Sequence, residues 1–471
     1  MSKGQVAGRL FRINPENIEV LDSPSSFKNE LFSIVKNAKK RVCISSLYVN
    51  QVNEFNDILK NILEKDILSG NNDLKIKFVL DLNRAIRSRI QFEQLAENIR
   101  RYPKSFSLSL FRIPGTLDIY KYRILPGLLN TRIGRYLNIP LINEIIGVYH
   151  IKLYIADDNI IISGANLSEE YLSDRQDRYI IIRDEKHICD YFEKVIDLIG
   201  SYSYKVLPNK EISQPCKKNI YQLKDELLAL SGCPDVIDQL GSEIRRKINE
   251  NGNYKDCVLM LFFQLSKIKI ESEKSVLQKL FSSPDPGSTD ITIVSPYLNL
   301  PDYFNKFLKG VNSLSIISGV PLNPGKGILQ GIRSLLLPII YDDINQLFIH
   351  KLAKEENCNI YYNEYNRQNW SLHFKGIYIY RKIKKILGNA NGVKNTLLAT
   401  TLGSSNYNER SKNRDFECSF VLIPPENHPL EDCLNNELGN LRKHTIKHIA
   451  PIITLRRFLC IKLIKYLKKY L

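Results

Sequence analysis

Residues 150–166 read HIKLYIADDNIIISGAN, and residues 372–380 read LHFKGIYIY, leading on to LGSSN at 402–406. Each stretch sets a His-x-Lys in an alternating apolar run, then reaches a Gly/Ser turn and an Asn. Alternation of period two predicts a strand, on which residues i and i+2 share a face. His150 and Lys152 then share one face, as do His373 and Lys375. An acid stands eleven residues past each Asn: Asp177 after Asn166, and Glu417 after Asn406. One His-x-Lys carries little information, but two in equivalent places of a repeat carry much more. The other five histidines, His187, His350, His428, His444 and His448, lack this context and are expected at the surface.

The repeat extends upstream. Residues 41–49 (RVCISSLYV) predict a buried strand, 53–68 a helix, and 74–82 (LKIKFVLDL) a second strand. Residues 290–298 (DITIVSPYL), 303–308 and 313–320 (SLSIISGV) repeat that order, with Ser-Pro-Tyr answering Ser-Leu-Tyr. Strand-helix-strand units of this kind make parallel pairs. The predicted organisation is a first half at 1–205, linker and helices at 206–280, and a second half at 281–471. Within it, the polar stretch 201–279 reads as linker plus helices of the second half.

Two such strands side by side bring two His, two Lys and two Asn to one pocket. That set suits a phosphodiester. One imidazole attacks phosphorus while the other protonates the departing oxygen. The lysines and the amides of Asn166 and Asn406 neutralise the non-bridging oxygens. Asp177 and Glu417 can each hydrogen-bond an imidazole and fix its tautomer. The lysines supply the positive charge, so no metal and no cofactor is expected.

The formal charge of +17 implies an anionic partner, nucleic acid or an anionic membrane surface. Nine scattered cysteines without a CxxC pair argue against a disulfide framework or zinc site and fit a reducing compartment. No apolar run is long enough to span a bilayer. The first fifteen residues carry Lys3, Arg9 and Arg12 and no acid before Glu16, which suits either a short mitochondrial targeting segment or an ordinary basic N-terminus.

The HxKxxxxD…GxN pattern resembles the phospholipase D superfamily, with His150, Lys152 and Asp157 matching its first motif at full spacing. SGANLSEEYLSDRQDRY at 163–179, YNRQNWSLHFKG at 365–376, LGSSNYNERSKNRDFE at 402–417 and ISSLYV at 44–49 resemble its eukaryotic phosphatidylglycerophosphate synthase branch. The second motif departs by carrying Tyr380 where Asp is expected. A Lys-rich insertion at 381–395 also precedes its Gly-Ser-Ser-Asn, and leaves the site undisturbed if it forms a hairpin. The resemblance implies an α/β protein of two phospholipase D-type α-β-α sandwich halves, with pseudo-twofold symmetry and one shared active site. It implies catalytic roles for His150, Lys152, Asp157, His373 and Lys375, with His150 as nucleophile. It also implies CDP-diacylglycerol and glycerol 3-phosphate as substrates, a phosphatidyl-histidine intermediate, and a peripheral enzyme on the matrix face of the mitochondrial inner membrane.

The acceptor's own phosphate needs further cations. Arg84, Arg87 and Arg89 follow the strand at 74–82, where parallel sheets bind ligands. Lys326, between Gly325 and Gly327, follows its counterpart. Arg175, Arg178, Arg410 and Arg414 lie near the motif residues. The basic amphipathic stretch 451–471 suits an anionic leaflet, and the apolar stretch 124–146 an acyl entry. A phosphatidyltransferase with another acceptor (serine or phosphatidylglycerol), a nucleic-acid phosphodiesterase and an inactive lipid-binding homologue are the rival readings. Nucleic acid is not the expected partner, because segments interleaving basic and aromatic residues are lacking.

Overall fold

The computed structural model describes residues 6–70, 73–116, 144–250, 252–319, 348–349, 359–387 and 390–447, without the side chains of 383–394. Lys326, the stretch 451–471, most of 124–146, His350 and His448 lie outside the described residues.

The chain opens with β1 (Gly8–Ile13), β2 (Ile18–Leu21) and α1 (Pro24–Lys36). The predicted strand-helix-strand unit follows as β3 (Arg41–Ser46), α2 (Asn53–Leu68) and β4 (Lys75–Asp81). Then come β5 (Phe106–Phe111), β6 (Leu153–Ala156), β7 (Asn159–Ser163), β8 (Tyr179–Ile182), α3 (Lys186–Ser201), β9 (Tyr204–Val206) and β10 (Ile212–Ser213). These strands lie in the order β10-β9-β5-β4-β3-β6-β7-β8-β2. As expected, β3 and β4 are parallel, and β5 extends the parallel set.

The remainder runs α4 (Gln222–Ser231), α5 (Val236–Glu250), β11 (Cys257–Leu265), α6 (Ser272–Ser282), β12 (Thr289–Ser295), β13 (Ser313–Gly319) and β14 (Asn359–Tyr365). It continues with β15 (Gly376–Leu387), β16 (Ala390–Gly403), β17 (Glu417–Ile423), α7 (Pro429–Arg442) and β18 (Thr445–Lys447). The second sheet reads β1-β11-β17-β16-β15-β12-β13-β14-β18. Its run from β14 to β11 repeats the run from β5 to β2 strand for strand, including the parallel β12–β13 pair. The insertion at 381–395 is a hairpin: β15 and β16 stay paired out to Leu387 and Ala390.

The expected boundaries need correction. β1, from the first 205 residues, is the edge strand of the second sheet, antiparallel to β11. The stretch read as linker and helices supplies β11, all nine residues of it buried. The first sheet also continues past residue 205 through β9 and β10. CVLMLFFQL has no alternation because both of its faces are covered. Met260 and Phe262 face one core, while Leu259, Leu261 and Phe263 face the other. The isoleucines of β7 and β8 divide likewise: Ile160, Ile162, Ile180 and Ile182 point to the central core, Ile161 and Ile181 to the outer one. Each fully buried side chain of this kind contributes about 1.5–3 kcal/mol.

Three cores result. The central one lies between the sheets and takes the apolar faces of α3 (Ile188, Phe192, Val195, Ile199) and α7 (Leu430, Leu434, Leu438, Leu441). α1 and α2 cover the outer face of the first sheet, α5 and α6 that of the second.

Arg178, next to β8, crosses this central layer. Its Nε donates to Glu437 on α7 at 3.0 Å, and its Nη1 donates to Thr400 Oγ1 at 2.9 Å and to the Thr401 carbonyl at 2.7 Å. A guanidinium buried this deeply is tolerable only when paired. Removing it leaves Glu437 as an uncompensated buried charge. Arg178→Ala is expected to cost about 3–5 kcal/mol, read as a lower denaturation midpoint; an unchanged midpoint would show that this crossing does not hold the halves together.

Candidate active site

The two His-x-Lys motifs lie just ahead of β6 and β15 rather than within them. Nor are the two motifs paired with each other. Each pairs instead with the segment past the Asn turn of the opposite half. Tyr149 bridges Phe416 in parallel, and the His150 N–H donates to the Phe416 carbonyl at 2.9 Å. Ser371 and Leu372 pair in parallel with Arg175 and Gln176, and the His373 N–H donates to the Gln176 carbonyl at 2.7 Å. Phe416 and Gln176 each immediately precede the acid.

The acids are therefore exchanged between halves. Glu417 meets His150 Nδ1 at 2.9 Å, and Asp177 meets His373 Nδ1 at 2.5 Å. Ser404 Oγ also donates to Glu417. Lys152 Nζ donates to the His150 carbonyl at 2.8 Å, and Lys375 Nζ lies 3.6 Å from Asp177. A Cβ at Gly164 would stand 2.7 Å from an Asp177 oxygen and 3.1 Å from Lys375 Nζ. That turn passes too close to the site for any side chain. Phe111, Tyr149 and Phe416 pack beneath at ring spacings of 5.4–5.7 Å, fixing the backbone that carries His150.

All four motif bases are buried. Burial lowers the pKa of both imidazoles, and at His373 the charges of Lys375 and Arg175 push the same way. At His150 the carboxylate of Glu417 opposes the shift. Burial brings Lys375 down to about 8 and Lys152 well below its ordinary value. Burial raises Asp177 to about 6. It acts the same way on Glu417, but His150, Lys152 and Ser404 outweigh it and hold that carboxyl low. The site thus offers neutral imidazoles as nucleophile and base, beside lysines whose charge an incoming phosphate would favour. Asn166 and Asn406, two residues past Gly164 and Ser404, are buried too, each with an Oδ1 that finds no partner among the described residues. Such atoms cost about 1–3 kcal/mol unless a ligand or water meets them.

Asp157 is not brought to the site. It lies at the far end of β6, in the turn to β7 with φ 51°, and its carboxylate accepts N–H bonds from Lys39 (2.9 Å), Lys40 (2.8 Å) and Arg41 (3.1 Å). Five residues past Lys152, it caps the entry to β3. Its counterpart Tyr380 donates to Asn435 on α7, so neither position faces the imidazoles.

Arg84 and Arg87 both pair with Glu144 and line a cavity of about 450 Å³ shared with Tyr48, Ser168, Glu170 and Asp174. Of the other arginines, Arg175 lies 4.6 Å over the Tyr171 ring and pairs with Glu170 at 3.2 Å. Arg410 pairs with Asp415, and Arg414 donates to the Ile145 carbonyl. His428 is not a free surface residue: its Nδ1 accepts from the Leu430 N–H and caps α7.

Two partners carry no motif signal. The Tyr171 hydroxyl is 3.1 Å from His373 Nε2, and Ser405 donates to the buried Glu273 at 2.5 Å.

No family model matches the chain. A probable CDP-diacylglycerol–glycerol-3-phosphate 3-phosphatidyltransferase of Dictyostelium discoideum is 31% identical over 469 residues, covering 92% of this chain and 74% of that protein. The chain belongs to that phosphatidyltransferase family. The family's Gallus gallus and Homo sapiens members, both named mitochondrial, are 27% and 26% identical, each over 92% of this chain and 78% of the relative. Among solved structures, phosphatidylserine synthase of Haemophilus influenzae Rd KW20 superposes with a TM-score of 0.63. At 19% identity, the match covers 98% of this chain and 97% of that one. The expected α/β fold, with its two repeated halves, is borne out.

The placement of Asp157 has a direct test. Asp157→Asn is expected to leave kcat unchanged and to cost about 1–3 kcal/mol of stability; a kcat loss comparable to that of a histidine variant would return Asp157 to the chemistry.

Proposed function

We propose that this protein transfers the phosphatidyl group of CDP-diacylglycerol to the hydroxyl of glycerol 3-phosphate, giving phosphatidylglycerophosphate and CMP. The family name supports the substrates. The observation that carries the chemistry is the pair of buried imidazoles, each tied through Nδ1 to a carboxylate of the opposite half. With Nδ1 engaged, only Nε2 of each ring is left for bond making and proton transfer.

The reaction runs in two displacements. His150 Nε2 attacks the phosphatidyl phosphorus, forming an N–P bond as the P–O bond to CMP breaks. The CMP phosphate oxygen departs with the electron pair and needs no proton, its charge being met by Lys152 and Lys375; the proton that His373 takes up in the second displacement passes afterwards to CMP or solvent. The neutral His373 then takes the proton of the glycerol 3-phosphate hydroxyl. That oxygen attacks phosphorus and releases His150. Lys152, Lys375, Asn166 and Asn406 neutralise the non-bridging oxygens in both steps. Arg84 and Arg87 hold the acceptor's phosphate, which would take them over from the Glu144 carboxylate.

The diacylglycerol tails place the enzyme at a membrane. No helix among the described residues is long and apolar enough to cross one. The charge of +17 suits a peripheral seat on an anionic leaflet. The mitochondrial relatives support a mitochondrial setting, and we assign the matrix face of the inner membrane. Nucleic acid has no part in this reading.

The test is CMP release from CDP-diacylglycerol with labelled glycerol 3-phosphate. Label should enter lipid, and both His150→Ala and His373→Ala should abolish it. In the free enzyme kcat/KM should fall as pH rises past about 8, where Lys375 loses its proton. Bound phosphate favours the charged lysine, so the limb in kcat should lie higher. CMP release that ignores glycerol 3-phosphate, or survives loss of either histidine, contradicts the assignment.

A further inference from the structure

The two halves match in plan around the imidazoles but differ in what reaches each ring. Lys375 Nζ lies 2.6 Å from His373 Nδ1 and 3.3 Å from its Nε2, whereas Lys152 Nζ reaches the His150 carbonyl. A residue beside the ring differs as well. Five residues past Asn166 stands Tyr171; five past Asn406 stands Ser411. Tyr171 is buried, with its hydroxyl 3.1 Å from His373 Nε2 and its ring edge-on to the imidazole at 4.9 Å and 82°. The Arg175 guanidinium, 4.6 Å over that ring, braces it. Ser411 cannot play this part for His150. Its Oγ accepts from the Asn406 N–H at 3.1 Å, and its own N–H donates to Asn408 at 2.8 Å. Among the described residues, His150 Nε2 has no hydrogen-bond partner.

With Nδ1 of each ring carrying the proton shared with its carboxylate, Nε2 holds the lone pair. A phenol hydroxyl donating into that lone pair blocks attack on phosphorus. We infer that Tyr171 is the positioning residue that divides the labour between the two histidines. It keeps His373 Nε2 engaged, so that the N–P bond forms only at His150. The same hydroxyl stands where the acceptor alcohol must stand to give up its proton, so the acceptor takes its place in the second displacement. This inference rests on the covalent two-step reading of the reaction.

The test uses the full-length protein and Tyr171→Phe, which keeps the ring and its packing and removes only the hydroxyl. CDP-diacylglycerol labelled at the phosphatidyl phosphorus is mixed with each protein without acceptor, quenched in alkali, and the labelled histidine located by peptide mapping. The wild-type protein should carry label on His150 alone. Tyr171→Phe should carry it on both His150 and His373, with turnover lowered about 10- to 100-fold. Label confined to His150 in the variant, with turnover unchanged, overturns the role of Tyr171. Label on His373 in the wild type overturns it as well. Label on neither histidine overturns the covalent reading itself, a distinct result.

Discussion

Each of the two motif imidazoles is tied to a carboxylate supplied by the other half of the chain, and most of the architecture serves that exchange. The parallel pairings of Tyr149 with Phe416 and of Ser371–Leu372 with Arg175–Gln176 deliver the acids. Because acid and histidine come from different halves, neither half alone holds a competent imidazole. A carboxylate at Nδ1 fixes the tautomer and stabilises the imidazolium that forms during proton transfer, so losing one is a loss of chemistry rather than of packing.

Such an exchange requires the halves to be held in register. Three features do this. β1 leaves its own half to close the second sheet against β11. The central core is built from both sheets together with α3 and α7. Arg178 carries a charge across that core to Glu437 and to the end of β16. The burial that makes the interface stable also drives down the pKa of the histidines and lysines. Stability and reactivity therefore arise from one cause: a buried, closely packed centre needs its bases neutral or paired until an anionic substrate arrives.

Much of this is legible in the sequence. The two strand-helix-strand units, the paired His-x-Lys motifs and the acids eleven residues past each Asn all follow from local periodicity and repetition. Which acid meets which histidine does not, because Asp177 and Glu417 look interchangeable along the chain and only the cross-half pairing separates them. β11 is hidden because a strand buried on both faces loses its alternation, and the polar stretch around it reads as linker. Asp157 misleads because it matches a motif spacing, although the two-residue turn it begins carries it to the far end of β6. Tyr171 leaves one readable trace, the mismatch with Ser411 at equivalent positions, and no motif marks either residue.

The exchange of carboxylates can be read directly by histidine-selective nitrogen NMR of the full-length protein. Glu417→Gln should move the ring resonances of His150 and leave those of His373 in place, and Asp177→Asn should do the reverse. If each substitution instead moved the histidine of its own half, Glu417 acting on His373 and Asp177 on His150, the carboxylates would not be exchanged and the shared site would have to be assembled differently.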